Sequence, residues 1–256
     1  MTDEPEYTDT ELLTTVASKI LEDESTVMVG TGMPMLAAML AQRTHAPDVT
    51  LVYEAGGIGA DAPALPVSVG DERTFHRALT AAGMHEVMSY GQAGLIDYGF
   101  LGGAQIDRYG NLNSTVIGDW ESPTVRFPGS GGANDIGSWA NETIVAMRQR
   151  EQSFVEELDF RTTPGYLEGP GSREEAGLPR DTGPTRVITQ LGVYRFDEDS
   201  REMTLDALHP GVELEEINGN SSFEIHVPDD YDRSPEPTEE ELRLLREEID
   251  PRGIIR

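Results

Sequence analysis

Apolar residues recur at helical spacing in the opening segment TDTELLTTVASKILED, at Leu12, Leu13, Val16, Ile20 and Leu21. A threonine, Thr8 or Thr10, stands where a capping side chain would begin that helix. The next segment, STVMVGTGMPMLAAMLAQRTH, changes period. Val27 to Val29 reads as a strand, Gly30-Thr31-Gly32 as a turn, and Pro34 suits the first turn of a second helix. APDVTLVYEAGG then supplies another strand, and the order α-β-α-β implies a parallel sheet with helices packed against it. Farther on, RTFHRALTAAG and HEVMSYGQAGLI predict helical or irregular segments. DYGFLGGAQIDRYGNLNST predicts a strand entering a glycine loop, and TIVAMRQ a strand leaving a further loop. Arg186 to Phe196 and Glu202 to Leu208 alternate well enough to predict one hairpin. HVPDDYDRSPEP reads as a polar linker, and TEEELRLLREEIDP as a short amphipathic helix whose Thr238 and Glu241 match a capping box. No internal repeat or domain boundary breaks the pattern. The expectation is one α/β domain over 1–256, an open, mostly parallel sheet flanked by helices. A C-terminal hairpin and a linker-plus-helix tail over 228–256 complete it.

Composition narrows the class. The chain of 256 residues is long enough for one sizeable α/β core, and two full domains would be crowded. Lys+Arg of 19 against Asp+Glu of 47 gives a formal charge of -28. Such a surface repels nucleic acid and anionic membranes, so neither is an expected partner. Lys19 is the only lysine, and an acidic chain so poor in lysine suggests adaptation to a cytosol rich in salt, where repulsion is screened. Apolar strand-like runs through most of the chain favour a folded protein over charge-driven disorder. The absence of cysteine excludes disulfides, thiolate metal sites and a cysteine nucleophile. MTDEPEYTDTELL has no basic and apolar signal, and no run of about 18 apolar residues is long enough to span a bilayer. A soluble, cytoplasmic protein is expected.

Three glycine-rich stretches follow apolar runs: VGTGMP, LGGAQIDRYGN and RFPGSGGAND. In an open α/β sheet such loops sit at strand ends, where ligands bind, and glycine leaves N–H groups free to face developing negative charge. Read singly, each is equally a tight turn. None has the lysine of a Walker loop, and GTGMP lacks the third glycine of a dinucleotide fingerprint. The five histidines show no HExxH or other metal-ligand spacing, so no metal is expected, and their ordinary reading is surface or helix-end histidine. No GxSxG elbow accompanies the serines, and Ser130, set among glycines, has no assignable base. The carboxylates remain. Glu54 ends an apolar strand and is followed at once by Ala55-Gly56-Gly57, glycines that clear space around it. It is either a structural acid among many or a nucleophile, a role a glutamate fills when oxyanion donors support it. Asp107 and Asp135, beside their own glycine loops, read as turn caps.

Taken together these stretches resemble one family. GGAQIDRYGNLNST followed by RFPGSGGAND, with YEAGG upstream, is similar to the second (β) subunit of family I CoA-transferases, the glutaconate type in particular. GTGMP, HAPD, SVGDER and TPGYLEGPGSREEAGLPRDTGP extend the likeness in the same order over most of the chain, from the first helix to REEIDP.

The resemblance implies an open α/β sheet, an active site shared with an α subunit supplied by a separate chain, and Glu54 as catalytic residue. It also implies that backbone amides around Gly131 and Gly132 form the oxyanion and acyl pocket. Gly102, Gly103, Ala104 and Gln105, with Gly30 and Gly32, would line the CoA or substrate pocket. Coenzyme A enters as substrate, with no permanently bound cofactor and no metal. The implied chemistry moves CoA between an acyl-CoA and a carboxylic acid through a glutamyl-CoA thioester. Ala55 departs from relatives that often carry Ser or Asn there. Related ring-opening CoA-ester hydrolases resemble this chain while lacking the glutamate, so a hydrolase subunit is the alternative, and a non-catalytic partner subunit the alternative of another class.

Overall fold

The first helix, α1 (Asp9–Ser18), begins at Thr8, which settles the choice between the two threonines. Thr8 Oγ1 accepts from the Glu11 N–H at 3.2 Å while the Glu11 carboxylate accepts from the Thr8 N–H at 2.9 Å, a reciprocal cap. A computed structural model describes residues 7–68 and 70–255, which fold as two compact units. One takes the chain up to Tyr98 and again from Pro235. The other is Gly99–Ser234.

In the first unit, β1 (Thr26–Val29), α2 (Met33–Arg43), β2 (Thr50–Tyr53), β3 (Gly57–Ile58), β4 (Thr80–Ala81) and α3 (Met84–Gln92) follow α1. β1 and β2 pair in parallel with Val29 opposite Tyr53. β3 turns back antiparallel on β2, and β4 on β3, leaving β4 at the end of the strand order. Every residue of α2 from Met35 to Ala41 is buried, the mark of a helix covered on all sides. α1 packs on it, and so does the end of the chain, where α7 (Glu239–Arg243) runs into a π-helical turn, Leu244–Ile249. Leu245 and Ile249 are fully buried. The tail is thus part of the first unit's core, and its helix starts at Thr238 with the capping box expected.

Charge fastens it there. Arg246 donates two bonds, 2.7 and 2.9 Å, to the buried Glu11 carboxylate.

The second unit contains β5 (Tyr98–Leu101) from Gly99 onward, β6 (Gln105–Ile106), β7 (Leu112–Asn113), β8 (Val116–Gly118), β9 (Pro123–Arg126), α4 (Ala133–Trp139) and β10 (Glu142–Ala146). α5 (Ser172–Glu175), β11 (Gly183–Ile188), β12 (Gly192–Phe196), β13 (Met203–Leu208), α6 (Glu215–Gly219) and β14 (Asp232–Arg233) complete it. Its main strand order is β14-β13-β12-β11-β10-β5, with β10/β11 and β13/β14 parallel and β11-β12-β13 antiparallel. The open, helix-flanked α/β arrangement expected from the sequence is the one found.

Three details differ from the sequence reading. The single hairpin is a three-stranded meander, because Thr189 Oγ1 accepts from the Leu191 and Gly192 N–H groups and turns the chain inside what reads as one arm. The stretch that reads as a polar linker contributes a strand, β14, on β13. His209 is not at the surface: it is fully buried, with Nδ1 2.9 Å from Ser234 Oγ and Nε2 2.8 Å from the Thr189 carbonyl.

The Arg246 bonds hold the Glu11 pKa below the ordinary carboxylate value. Its contribution to stability is therefore complete above the unfolded value, about pH 4.3, and is lost as pH falls through the depressed folded value. Arg246→Ala, which removes the guanidinium from a buried carboxylate and leaves it the Thr8 N–H, is expected to cost about 2–4 kcal/mol in urea unfolding at pH 7. Glu11→Gln is expected to flatten the stability–pH profile below about pH 4.3.

Candidate active site

Val29 and Tyr53 are the last paired residues of β1 and β2, so Gly30 and Glu54 leave adjacent parallel strands side by side. This is the carboxyl end of the pair, where ligands of open α/β sheets bind. Gly32 caps α2 with φ of +92°, a conformation that only glycine adopts without strain, and a Cβ at Gly30 would meet nothing within 4 Å. The Thr31 and Gly32 N–H groups find no acceptor among the described residues. Below them Tyr53 is fully buried, and burial pushes its hydroxyl up to about 12. Glu54 is half-buried, and its carboxylate has no hydrogen-bond or ion-pair partner among the described residues.

The two glycines after Ala55 do something other than clear room for a ligand. A Cβ on Gly56 would lie 1.8 Å from the Ala82 carbonyl oxygen, and one on Gly57 would lie 2.0 Å from that of Thr74. The Ala82 N–H donates to the Gly56 carbonyl at 2.8 Å. These glycines let two backbone segments cross against the β2 tip, and the crossing fixes where Glu54 emerges.

In the second unit, Gly102 follows β5 with its α-carbon facing the Ala146 carbonyl, and a Cβ on Gly103 would touch Gln105, Leu112 and Asn113. The Ala104 N–H donates to the Asn113 carbonyl at 2.8 Å. Gln105 is buried and its amide is spent internally. Its nitrogen donates to Asp159 at 2.6 Å, and its oxygen accepts from Asn113 at 2.7 Å and from the Asp159 N–H at 3.1 Å. Its side chain holds the loop and is not free for a ligand. Asp107 caps its turn as expected, accepting from the Tyr109 and Asn111 N–H groups, each at 3.0 Å.

Gly131 is exposed in a left-handed conformation, and Gly132 caps α4. Neither N–H finds an acceptor among the described residues, whereas the Ser130 hydroxyl accepts from the Asn134 N–H at 3.0 Å. Ser130 is therefore a turn residue. The sequence reading misses Arg173, which is buried and donates to the Gly137, Ser138 and Gly165 carbonyls and to Thr182, tying down the end of α4. It also misses Asp159 as the anchor of Gln105. Neither partnership has a local signal, since 54 residues separate Gln105 from Asp159 and 36 separate Arg173 from Gly137. Among the described residues no group of His, Asp or Glu side chains is arranged to hold a metal, and no helix is long and apolar enough to cross a membrane.

Glu54 and the Gly30–Gly32 turn thus lie at the carboxyl ends of two adjacent parallel strands. A family model described as Coenzyme A transferase matches residues 10–220, and the chain belongs to that family. It is 41% identical over 241 residues to the B subunit of 3-oxoadipate CoA-transferase from Pseudomonas knackmussii, covering 94% of this chain and 92% of that one. It is 38% identical over 258 residues to the B subunit of glutaconate CoA-transferase from Acidaminococcus fermentans, covering 98% and 96%. The crystal structure of glutaconate coenzyme A-transferase from the same organism matches with a TM-score of 0.93 at 36% identity, over 99% of this chain and 98% of that one. A more distant relative is the cholesterol ring-cleaving hydrolase IpdB subunit of Mycobacterium bovis, 28% identical over 250 residues and covering 95% of each chain.

The backbone crossing makes a direct prediction. Gly57→Ala must displace the Thr74 carbonyl and is expected to lower stability by about 2–4 kcal/mol in denaturant titration. Glu54→Gln, which breaks no bond, is expected to stay within about 0.5 kcal/mol of the parent.

Proposed function

We propose that the chain is the β-type subunit of a heteromeric CoA-transferase in which Glu54 is the nucleophile. The observation that carries this reading is the half-buried, unpartnered Glu54 carboxylate beside the Gly30–Gly32 turn, in a chain of the coenzyme A transferase family. Buried or half-buried carboxylates are ordinarily paired or hydrogen-bonded, and one kept free at a strand tip is available to react.

The proposed reaction balances without an outside proton, metal or oxidant. A Glu54 oxygen attacks the acyl-CoA carbonyl carbon, the carbon–sulfur bond breaks, and CoA leaves as thiolate from a mixed anhydride. The thiolate then attacks the glutamyl carbonyl, freeing the first acid as its carboxylate and leaving a Glu54–CoA thioester. A second carboxylate attacks that thioester and expels the thiolate. The thiolate takes the new acyl group, and Glu54 is restored. Each addition places negative charge on a carbonyl oxygen, and unengaged N–H groups such as those of Gly131 and Gly132 are donors of the kind such an oxyanion requires. The backbone of Gly102, Gly103 and Ala104 is assigned to the CoA or acyl pocket by family likeness. A separate α subunit completes the enzyme, in keeping with the subunit names of the relatives. The weak lysine content and the charge of -28 support work in a salt-rich cytoplasm.

The test uses this chain co-purified with its α subunit. After acyl-CoA is added, borohydride should inactivate the enzyme and change the mass of the peptide containing Glu54. Glu54→Gln should lower transfer by at least about 1,000-fold with the complex intact. Consumption of acyl-CoA without an acceptor acid, and without an adduct on that peptide, would establish hydrolysis and remove the transfer reading. Retained activity in Glu54→Gln would make the residue structural. The charge makes a separate prediction: raising KCl from about 0.1 to 2 M shortens the Debye length several-fold and should raise the melting temperature. An unchanged or falling melting temperature would refute salt adaptation.

A further inference from the structure

Within the second unit, a cavity of about 480 Å³ opens at the amino ends of β10 and β11, where Glu142 pairs with Gly183. Gly102 packs at the other end of β10, against the Ala146 carbonyl. The five residues of β10 put about 13 Å of extended chain between the two. The cavity is therefore separate from the glycine loops assigned to the substrate. Its volume lies in the ordinary range for a small-molecule site.

Its charges are sorted by depth. Arg173 on α5, Arg186 on β11 and Arg201 between β12 and β13 all line it. Arg173 is only 3% exposed, and Arg186 and Arg201 are half-buried. Three of the lining acids, Glu174, Asp181 and Glu198, are exposed, where water solvates them. Glu142 is half-buried and already accepts from the Thr185 hydroxyl at 2.8 Å.

Two of the three guanidinium groups have no carboxylate partner among the described residues. Arg173 donates to backbone carbonyls and to Thr182, and its Nε has no hydrogen-bond partner. Arg201 lies over the Tyr166 ring, 5.0 Å from its centre. Arg186 is held between the Thr185 carbonyl at 2.9 Å and Asp206 at 3.5 Å. Burying positive charge without a counter-ion is costly, and burial lowers the Arg173 pKa from its ordinary value. An anion from solution would supply what the fold does not.

Arginines arriving from three elements suit a phosphate, whose oxygens point in several directions. A planar carboxylate is satisfied by a single guanidinium fork. A phosphate alone fills only a small part of the cavity. Much of the remainder is lined by hydrogen-bonding side chains, Glu142, Thr182 and Thr185 among them, which suit hydroxyl groups better than an apolar body. We infer that this cavity binds a small phosphate monoester with a hydroxyl-bearing body, its phosphate taken by Arg173, Arg186 and Arg201. The site goes beyond the transferase reading and does not depend on it.

Titration calorimetry on the full chain, at a constant ionic strength of about 0.2 M, tests the assignment. Glycerol 3-phosphate should bind saturably, one per chain, at least about 10-fold more tightly than inorganic phosphate. Arg201→Gln and, independently, Arg186→Gln should each weaken that binding at least about 10-fold, as expected for loss of a charge-assisted hydrogen bond. Arg180→Gln, at an exposed arginine outside the cavity, should leave it unchanged. No saturable binding of either probe below about 10 mM, or equal binding by the parent and Arg201→Gln, would overturn the site. Inorganic phosphate binding as tightly as the ester would overturn the hydroxyl-bearing body. Displacement of the ester by CoA, in the complex co-purified with the α subunit, would overturn a separate site and give the cavity to the CoA substrate.

Discussion

The backbone crossing at Gly56 and Gly57 is the constraint on which the site depends. The carbonyls of Ala82 and Thr74 occupy the space where two side chains would begin, so the chain after Glu54 can only pass between them bare. The crossing terminates β2, turns the chain into β3 and sets the edge strand β4 beside the glutamate loop. Beneath it, the parallel register of β1 and β2 rests on α2, which is buried on every side by α1 and by the returning C-terminal segment. The position of one carboxylate thus depends on residues from both ends of the chain.

Glu54 has no hydrogen-bond or ion-pair partner among the described residues. Elsewhere the buried acids are engaged: Glu11 by Arg246, Asp107 by backbone and Asn111. These two acids are engaged within the fold, and the acid at the strand tip is not. The same contrast separates the polar residues of the glycine loops. Gln105 and Ser130 are occupied within the chain, whereas the Gly131 and Gly132 amides find no acceptor among the described residues.

Much of this is legible in the sequence because it is local. The α-β-α-β opening follows from apolar period, the capping box of the last helix from Thr238/Glu241, and the strand-end position of Glu54 from TLVYEAGG, whereas the first helix's cap reads only as Thr8 or Thr10 until the structure shows the Thr8/Glu11 box. The meander reads as a hairpin because Thr189 turns the chain without a glycine–asparagine signal, and alternation continues across the turn. The tail's place in the core and the burial of His209 are hidden because their partners lie far away in sequence. The role of Gly56 and Gly57 is ambiguous for a related reason. A glycine pair next to a glutamate looks the same whether it admits a ligand or a distant carbonyl, and only the fold tells them apart.

The most direct test follows the oxygen atoms. In the proposed sequence the second carboxylate donates one of its oxygens to the restored Glu54. One turnover of the intact complex with a heavy-oxygen-labelled acceptor acid, followed by digestion, should place a single heavy oxygen in the peptide carrying Glu54. Formation of product with no label in that peptide would contradict a glutamyl intermediate and with it the central assignment.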